Sequence, residues 1–268
     1  MMTVEEFGAE LLRTGDLDPI YVMLNRADLD ESTKARWCLA YWCFYHAGFA
    51  SYAADNADRF WRVMAAAANN TTPSPLEGRW PRGAERRHFR AANSINSVAF
   101  LDANYPSALD AVQFLLRGGT TFRAVKERVL SWPSFGPWIA FKIADMLDAV
   151  MGVEIDFSDT VHEFFDDPKE GARIVAEGWG WVPGDRDHLS LVVGSLLDHF
   201  GNHPVPHAPQ RGVRHQEVET ILCKYKSHTK GRYEPGKDTK EIIHGLQDWK
   251  AVSPLAGRLQ AALQQGAG

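Results

Sequence analysis

Residues 35–54 run Ala-Arg-Trp-Cys-Leu-Ala-Tyr-Trp-Cys-Phe-Tyr-His-Ala-Gly-Phe-Ala-Ser-Tyr-Ala-Ala. At helical spacing their apolar side chains fall on nearly every face, and a helix of that kind has to be surrounded by protein. The rest of the chain must therefore supply helices that wrap it. Tyr41, Tyr45, His46 and Gly48 punctuate the stretch too often for a membrane span. Their polar tips need partners if buried. Tyr45 and His46 fit two roles, a satisfied pair in the core or part of the wall of a pocket.

Helical signals continue on both sides. Thr3 and Glu6 form a capping-box pattern ahead of Phe7, Leu11 and Leu12, and Asp28, Asp30, Ser32 and Thr33 mark the start of the next helix. Helices are expected over 56–68, 105–117 and 188–200, with a break at Asn69-Asn70-Thr71-Thr72-Pro73-Ser74-Pro75. Trp179-Gly180-Trp181 with Pro183-Gly184 reads as a loop with aromatic anchors. His203, Pro204, Pro206, His207 and Pro209 read as a stiff linker, and 239–263 as one closing helix. With 268 residues, 45% of them hydrophobic and 24% charged, the chain suits one compact domain or two lobes sharing a core.

Composition removes several function classes. Cys38, Cys43 and Cys223 make neither a disulfide framework nor a zinc set, and the cysteine pattern of an iron–sulfur cluster is missing. The histidines lack ligand spacing, so no metal and no cofactor is expected. The acidic start Met1-Met2-Thr3-Val4-Glu5-Glu6 does not read as a signal peptide, and a reducing cytoplasm is the expected home. Net charge is −5, so any nucleic-acid binding must come from local basic patches.

Residues 119–162 read as helix, tight turn, helix and acidic turn. The turn is Trp132-Pro133-Ser134-Phe135-Gly136, and Pro137 opens a helix expected over Trp138–Met151. The free N–H groups and positive dipole end of that helix, beside Gly136, would seat an anion such as a DNA phosphate. An ordinary helix–turn–helix connection with a proline start satisfies the same spacing. Asp145, Asp148, Glu154, Asp156, Asp159, Glu163, Asp166 and Asp167 follow, most of them expected in solvent. One doing chemistry would need a pKa matched to its role.

Two basic segments stand out. Arg79-Trp80-Pro81-Arg82-Gly83-Ala84-Glu85-Arg86-Arg87-His88-Phe89-Arg90 sets five arginines against one acid. A helix starting at Ala84 would put Arg86 and Arg90 on one face, and arginine forks suit phosphate oxygens. A helix through Val218, Leu222 and Tyr225 ends in a loop with Lys224, Lys226, Lys230 and Arg232 nearby, together with Ser227, His228 and Gly231. They could close over a phosphorylated group. A solvated basic face, or salt bridges to the acidic 145–170 stretch, also explains the arginine segment, and a solvated basic loop explains the lysines.

The turn resembles the helix-hairpin-helix of base-excision DNA glycosylases, with Ser134 where that superfamily usually has glycine. Ungapped counting from the turn makes Asp156 the counterpart of the superfamily's catalytic aspartate. Counting from Met151-Gly152, and the likeness of Asp159-Thr160-Val161 to its Asp-Thr-X-Val, makes it Asp159, the preferred choice. Cys38–His46, Arg82–Arg90, the turn and Val218–His228 together resemble a narrower group, the thymine-hypermodification enzymes of DNA phages. These are amino acid:DNA transferases, or α-glutamyl/putrescinyl-thymine pyrophosphorylases.

The resemblance implies an all-α, two-lobed, glycosylase-like fold with the active-site cleft between lobes. One lobe would span about 70–185, and 1–69 plus 186–268 would form the other. It implies double-stranded DNA carrying pyrophosphorylated 5-hydroxymethyluracil as one substrate. A small amine or amino acid such as glycine or putrescine would be the other. Asp159 or Asp156 would be the base. Arg82, Arg86, Arg87, His88, Arg90, Lys224, Lys226 and Lys230 would hold the pyrophosphate. Tyr41, Tyr45 and His46 would line the base pocket, and Phe135, Gly136 and Trp138 would hold the DNA backbone. A monofunctional DNA glycosylase and a non-enzymatic helical DNA-binding protein are the alternatives.

Overall fold

The computed structural model describes residues 2–70, 72–181 and 188–265, so Thr71, Pro183 and Gly184 lie outside the described residues. The chain is mostly helical. Helices α1 (Val4–Thr14), α2 (Pro19–Arg26), α3 (Glu31–Phe44), α4 (Ala47–Asp55) and α5 (Phe60–Asn69) come first. Next are α6 (Ala92–Asn104), α7 (Ala108–Leu116), α8 (Phe122–Leu130), α9 (Pro137–Ala149), α10 (Asp166–Gly178) and α11 (His188–Phe200). After the short strands β1 (Pro204–Val205) and β2 (Ala208–Gly212) come α12 (His215–Thr229), α13 (Lys237–Gln247) and α14 (Pro254–Gln264). No described helix is long and apolar enough to cross a membrane.

Contacts divide the chain into two units. One joins Met1–Val22 to Asp156–Lys240, and the other joins Met23–Ile155 to Glu241–Gln265.

In the second unit α3 is the centre, as an all-round apolar helix must be. Ala35 and every residue from Trp37 to Phe44 are buried. Each fully buried large side chain contributes about 1.5–3 kcal/mol. The two indoles also find partners: Trp37 Nε1 donates to Ser51 Oγ at 3.1 Å, and Trp42 Nε1 meets Met146 Sδ at 3.1 Å. Asp30 caps the start of α3, accepting the Thr33 N–H at 2.9 Å.

The single helix expected over 35–54 is two. Tyr45 takes the left-handed conformation, φ 51°, and ends α3, and His46 caps α4. The expected closing helix is also two, because Trp249–Ser253 turns before Pro254 restarts it. There Asp55 accepts from Ser253 Oγ at 2.6 Å and from Leu255 N at 3.1 Å.

In the first unit α10 crosses α12 at backbone contact. A Cβ on Gly171 would lie 2.2 Å from the Leu222 carbonyl oxygen, so only glycine fits. Phe7 on α1 stacks on His228 at 4.7 Å, and the Thr3/Glu6 capping box forms as its spacing predicts. The Pro-rich linker is a small antiparallel hairpin pairing Val205 with Ala208. Beneath it, buried Glu217 accepts from Arg211 Nη2 at 2.8 Å and Nη1 at 3.1 Å, and from the Arg214 N–H at 2.8 Å. His207 Nε2 lies 3.6 Å from the same carboxylate.

Candidate functional site

The candidate residues are divided between the units. The turn, the Arg79–Arg90 segment and the tyrosines belong to Met23–Ile155, whereas the acidic pair and the lysines belong to Asp156–Lys240.

Helices α8 and α9 do flank a tight turn. Two buried aromatics hold it from beneath: Trp132 Nε1 donates to Tyr105 Oη at 2.9 Å, and Phe135 meets the Trp132 ring edge-on at 5.2 Å. Ser134 takes φ 64°, the left-handed conformation for which glycine is the usual choice, so the turn closes despite the serine. Gly136 is the N-cap of α9, Pro137 is its first residue, and no side chain caps this end. Trp138 beside it is 37% exposed. Of the three residues expected on the DNA backbone, Gly136 and Trp138 are accessible, whereas buried Phe135 supports the turn.

Gly136 has φ −104° and ψ near 180°, extended backbone open to any residue, and a Cβ there meets nothing within 4 Å. Its glycine is therefore not needed for folding, and the space above it is free for a ligand. Gly136→Val is expected to leave the melting temperature unchanged and to weaken DNA binding. The slope of log K against log salt should fall by about one phosphate contact. A variant with unchanged affinity and slope would show that no phosphate sits there.

The arginine segment does not become an α-helix at Ala84. It makes one 3-10 turn, Ala84–Arg86, and α6 starts only at Ala92. Side-chain contacts explain why. Arg82 reaches back to the last turn of α5, donating to Ala67 O at 3.0 Å, and it also donates to Ser94 Oγ at 3.2 Å and to the Phe89 carbonyl. Those α5 carbonyls lack helical partners, so Arg82 acts as a C-terminal cap.

Arg86 is 1% exposed. Its guanidinium lies over the Phe89 ring at 4.4 Å and the Phe135 ring at 4.9 Å. Nη1 approaches both His88 Nε2, at 3.3 Å, and the Ser134 carbonyl, at 3.4 Å. Burial pulls its pKa down to about 10, so it stays charged at neutral pH. Buried Arg86 and half-buried Arg82 are thus occupied by protein partners, and Arg87, His88 and Arg90 are the exposed members of the cluster. Burial, then the charges of Arg86 and Arg87, lower the pKa of His88 and favour its neutral form.

Tyr41 and Tyr45 belong to a ladder of rings. Trp37 and Tyr41 are 4.9 Å apart, Tyr41 and Tyr45 4.4 Å, and Tyr45 and Trp138 5.3 Å. Tyr41 is buried, and Tyr45 and Trp138 form the accessible end. His46 caps α4: its Nδ1 accepts the Phe49 N–H at 3.1 Å, and burial pulls its pKa down to about 4.

In the other unit Asp156 and Asp159 are both exposed. Asp156 Oδ1 accepts the Ser158 N–H at 2.9 Å, and that bond leads in holding its pKa below the usual carboxylate value. Asp159 lies in the turn before the 3-10 segment Val161–Glu163. Of the eight acidic residues, Asp145 on α9 is buried.

Lys224 and Lys226 stand on α12, which runs on to Thr229, and all three lysines have acidic partners. Lys224 meets Asp238 at 2.6 Å, Lys226 meets Asp167 at 2.6 Å, and Lys230 lies 3.9 Å from Glu170. Lys224 also donates to Tyr233 Oη at 3.0 Å and to the Asp16 carbonyl. Sequence reading passed over buried Asp16, which accepts from Gly236 N at 2.7 Å, Thr239 N at 2.8 Å and Thr239 Oγ1 at 2.6 Å. It is a remote cap for α13, and no local pattern announces a cap more than two hundred residues away. Among the described residues no group of three or more His, Cys, Asp or Glu side chains is placed to hold a metal ion.

Comparison with known proteins agrees with the narrower resemblance, the one to amino acid:DNA transferases. The family model for amino acid:DNA transferases matches residues 9–233. A glycinyltransferase of Pseudomonas phage PaMx11 is 40% identical over 274 residues, taking in 95% of this chain and 94% of that protein. A putrescinyltransferase of Delftia phage PhiW-14 is 24% identical over 253 residues, taking in 91% of this chain and 78% of that protein. With most of its length matched by one family and by relatives of similar size, the chain belongs to the amino acid:DNA transferases.

Proposed function

We propose that the protein replaces the pyrophosphate of 5-(pyrophosphoryloxymethyl)uracil in double-stranded DNA with an amine, in the manner that the names of its glycine- and putrescine-transferring relatives suggest. The amine nitrogen attacks the methylene carbon on C5 of the base. The carbon–oxygen bond breaks, pyrophosphate leaves with the electron pair, and a carboxylate takes the proton the amine gives up. Asp159 has that role, with Asp156 as the second choice. The target nucleotide is flipped out of the stack at a cost of roughly a few kcal/mol. The turn between α8 and α9 is a helix-hairpin-helix of the DNA-glycosylase kind, binding the DNA backbone and offsetting that cost.

One observation carries this reading: a single nitrogen of buried Arg86 contacts both Ser134 of the turn and His88 of the basic segment. That contact holds a cationic surface next to an uncapped helix N-terminus. Such a surface can hold DNA phosphate and also meet the charge that grows on a departing pyrophosphate. Tyr45 and Trp138 offer an aromatic face on which a flipped base can stack.

The decisive experiment is mass spectrometry of nucleosides after incubation of pyrophosphorylated hydroxymethyluracil DNA with glycine or putrescine. A heavier nucleoside with one pyrophosphate released per transfer supports the proposal. Free base with an abasic site would make the protein a glycosylase, and no product with intact DNA affinity a binding protein. Exposed Arg87 and Arg90 give a finer test. Changing both to Ala should weaken binding of the pyrophosphorylated duplex about tenfold more than binding of plain duplex. Equal losses on the two would restrict them to the DNA backbone.

A further inference from the structure

A guanidinium carries five N–H donors and no acceptor. Nη1 of Arg86 has two of those N–H groups and two neighbours, the Ser134 carbonyl at 3.4 Å and His88 Nε2 at 3.3 Å. Both neighbours must accept, because Arg86 has nothing to accept with. His88 Nε2 therefore carries no proton, and in a neutral ring the hydrogen is on Nδ1. The partner that selects this tautomer is firmly held. Arg86 is buried against the Phe89 and Phe135 rings, and its Nε approaches the Cys43 carbonyl at 3.5 Å. The backbone of His88 is pinned too: its carbonyl accepts from Asn93 Nδ2 at 3.2 Å and from the Arg90 N–H at 3.0 Å. The residue itself is exposed, and among the described residues its Nδ1 has no hydrogen-bond partner.

We propose that His88 is a neutral hydrogen-bond donor to a phosphoryl oxygen, presenting Nδ1–H outward, and that Arg86 is the positioning residue that fixes this tautomer. A histidine on an arginine-rich surface would ordinarily serve as one more cation. Here protonation would set a hydrogen on Nε2 against the Arg86 fork. The surroundings oppose it as well. Burial, then the charges of Arg86 and Arg87, disfavour the imidazolium. The turn from Trp132 to Gly136 has no titratable side chain, and burial keeps the Cys43 thiol neutral, with its pKa pushed up to about 12. No proton is transferred in this role: the ring keeps its hydrogen while the phosphoryl oxygen accepts it. The pyrophosphate and a DNA phosphate both present such an oxygen. The inference deepens the transferase reading and rests on it for the pyrophosphate alone.

Imidazole nitrogen NMR spectra of the full-length protein should show His88 with a protonated Nδ1 and a bare Nε2 at neutral pH, and a titration midpoint below 6.5. His88→Leu removes the donor and should weaken duplex binding about tenfold. His88→Asn, whose amide N–H can stand in for Nδ1–H, should cost no more than about threefold. A loss confined to pyrophosphorylated hydroxymethyluracil duplex identifies the pyrophosphate as the partner, and the same loss on plain duplex identifies a DNA phosphate. The role needs no charge on the ring, so the ratio of wild-type to His88→Leu affinity should be the same at pH 8 and at pH 6.5. Three results would each overturn the inference: a proton on Nε2 at neutral pH, wild-type affinity of His88→Leu for both duplexes, or a ratio that rises as pH falls. Arg86→Met should raise the His88 midpoint, and an unmoved midpoint in that variant would end the positioning role. If Arg86→Met does not fold, the wild-type spectrum decides alone. Neither the spectra nor the plain-duplex titrations need amine transfer, so failure of the transferase reading is told apart from failure of this one.

Discussion

Replacing Asp159 with Asn is expected to lower the rate of pyrophosphate release by about 10²–10⁴-fold, the usual worth of a positioned general base. The change keeps shape and hydrogen-bonding capacity but removes the ability to take a proton. DNA affinity should stay the same or rise, because one negative charge is lost. Asp156→Asn should cost less than tenfold, since the Ser158 N–H already holds that carboxyl below its usual pKa and makes it a weaker base. Single-turnover pyrophosphate release, read beside DNA titrations on the same preparations, separates the two residues. If Asp159→Asn keeps full activity and Asp156→Asn is dead, the roles are exchanged.

Glu217→Ala is expected to destabilise the protein by about 3–5 kcal/mol, the range for breaking a buried ion pair from one side. Three tasks end at once: balancing Arg211, meeting His207 and capping the first turn of α12. Burial alone would push this carboxyl's pKa up. The His207 ring and the Arg211 fork outweigh burial and pull the pKa down from 4.5 to about 2. A carboxyl with a lowered folded-state pKa adds stability above its unfolded-state value and loses it as pH falls. The contribution, about 3 kcal/mol at neutral pH, should therefore fade between pH 4.5 and 2. Urea titrations at pH 7 and at pH 3 would show the wild-type stability falling toward that of Glu217→Gln. A constant gap between the two proteins at both pH values would mean that Glu217 does not carry the acid response.

Much of this architecture is legible in local chemistry, and what is missed has a common cause. The Thr3/Glu6 box, the Asp30 cap, the buried α3 and the proline start of α9 each follow from residues a few positions apart. The break at Tyr45–His46 does not, because neither residue is a helix breaker. It is secured by the His46 ring accepting the Phe49 N–H and by the loop that docks on the end of α3. Arg82 and Arg86 read like their exposed neighbours Arg87 and Arg90. Their tasks depend on the end of α5 and on Phe135, distant in sequence. The three lysines read as free cations for the same reason, since their acidic partners lie on other elements. The tight turn and the arginine-rich segment are thus legible in local chemistry. Which members are spent inside the protein depends on tertiary contacts that no local pattern encodes.

The Gly83 N–H donates to the Phe44 carbonyl at 2.9 Å, and a side chain on Gly83 would come within 2.3 Å of the Tyr45 carbonyl oxygen. Main chain therefore lies on main chain there, with no padding to absorb a shift. Any substitution that resets the backbone near Tyr45 drags the Gly83–Arg90 loop with it, and the reverse also holds. Exchanging either segment with that of a relative would accordingly require grafting 41–46 and 82–90 as one block.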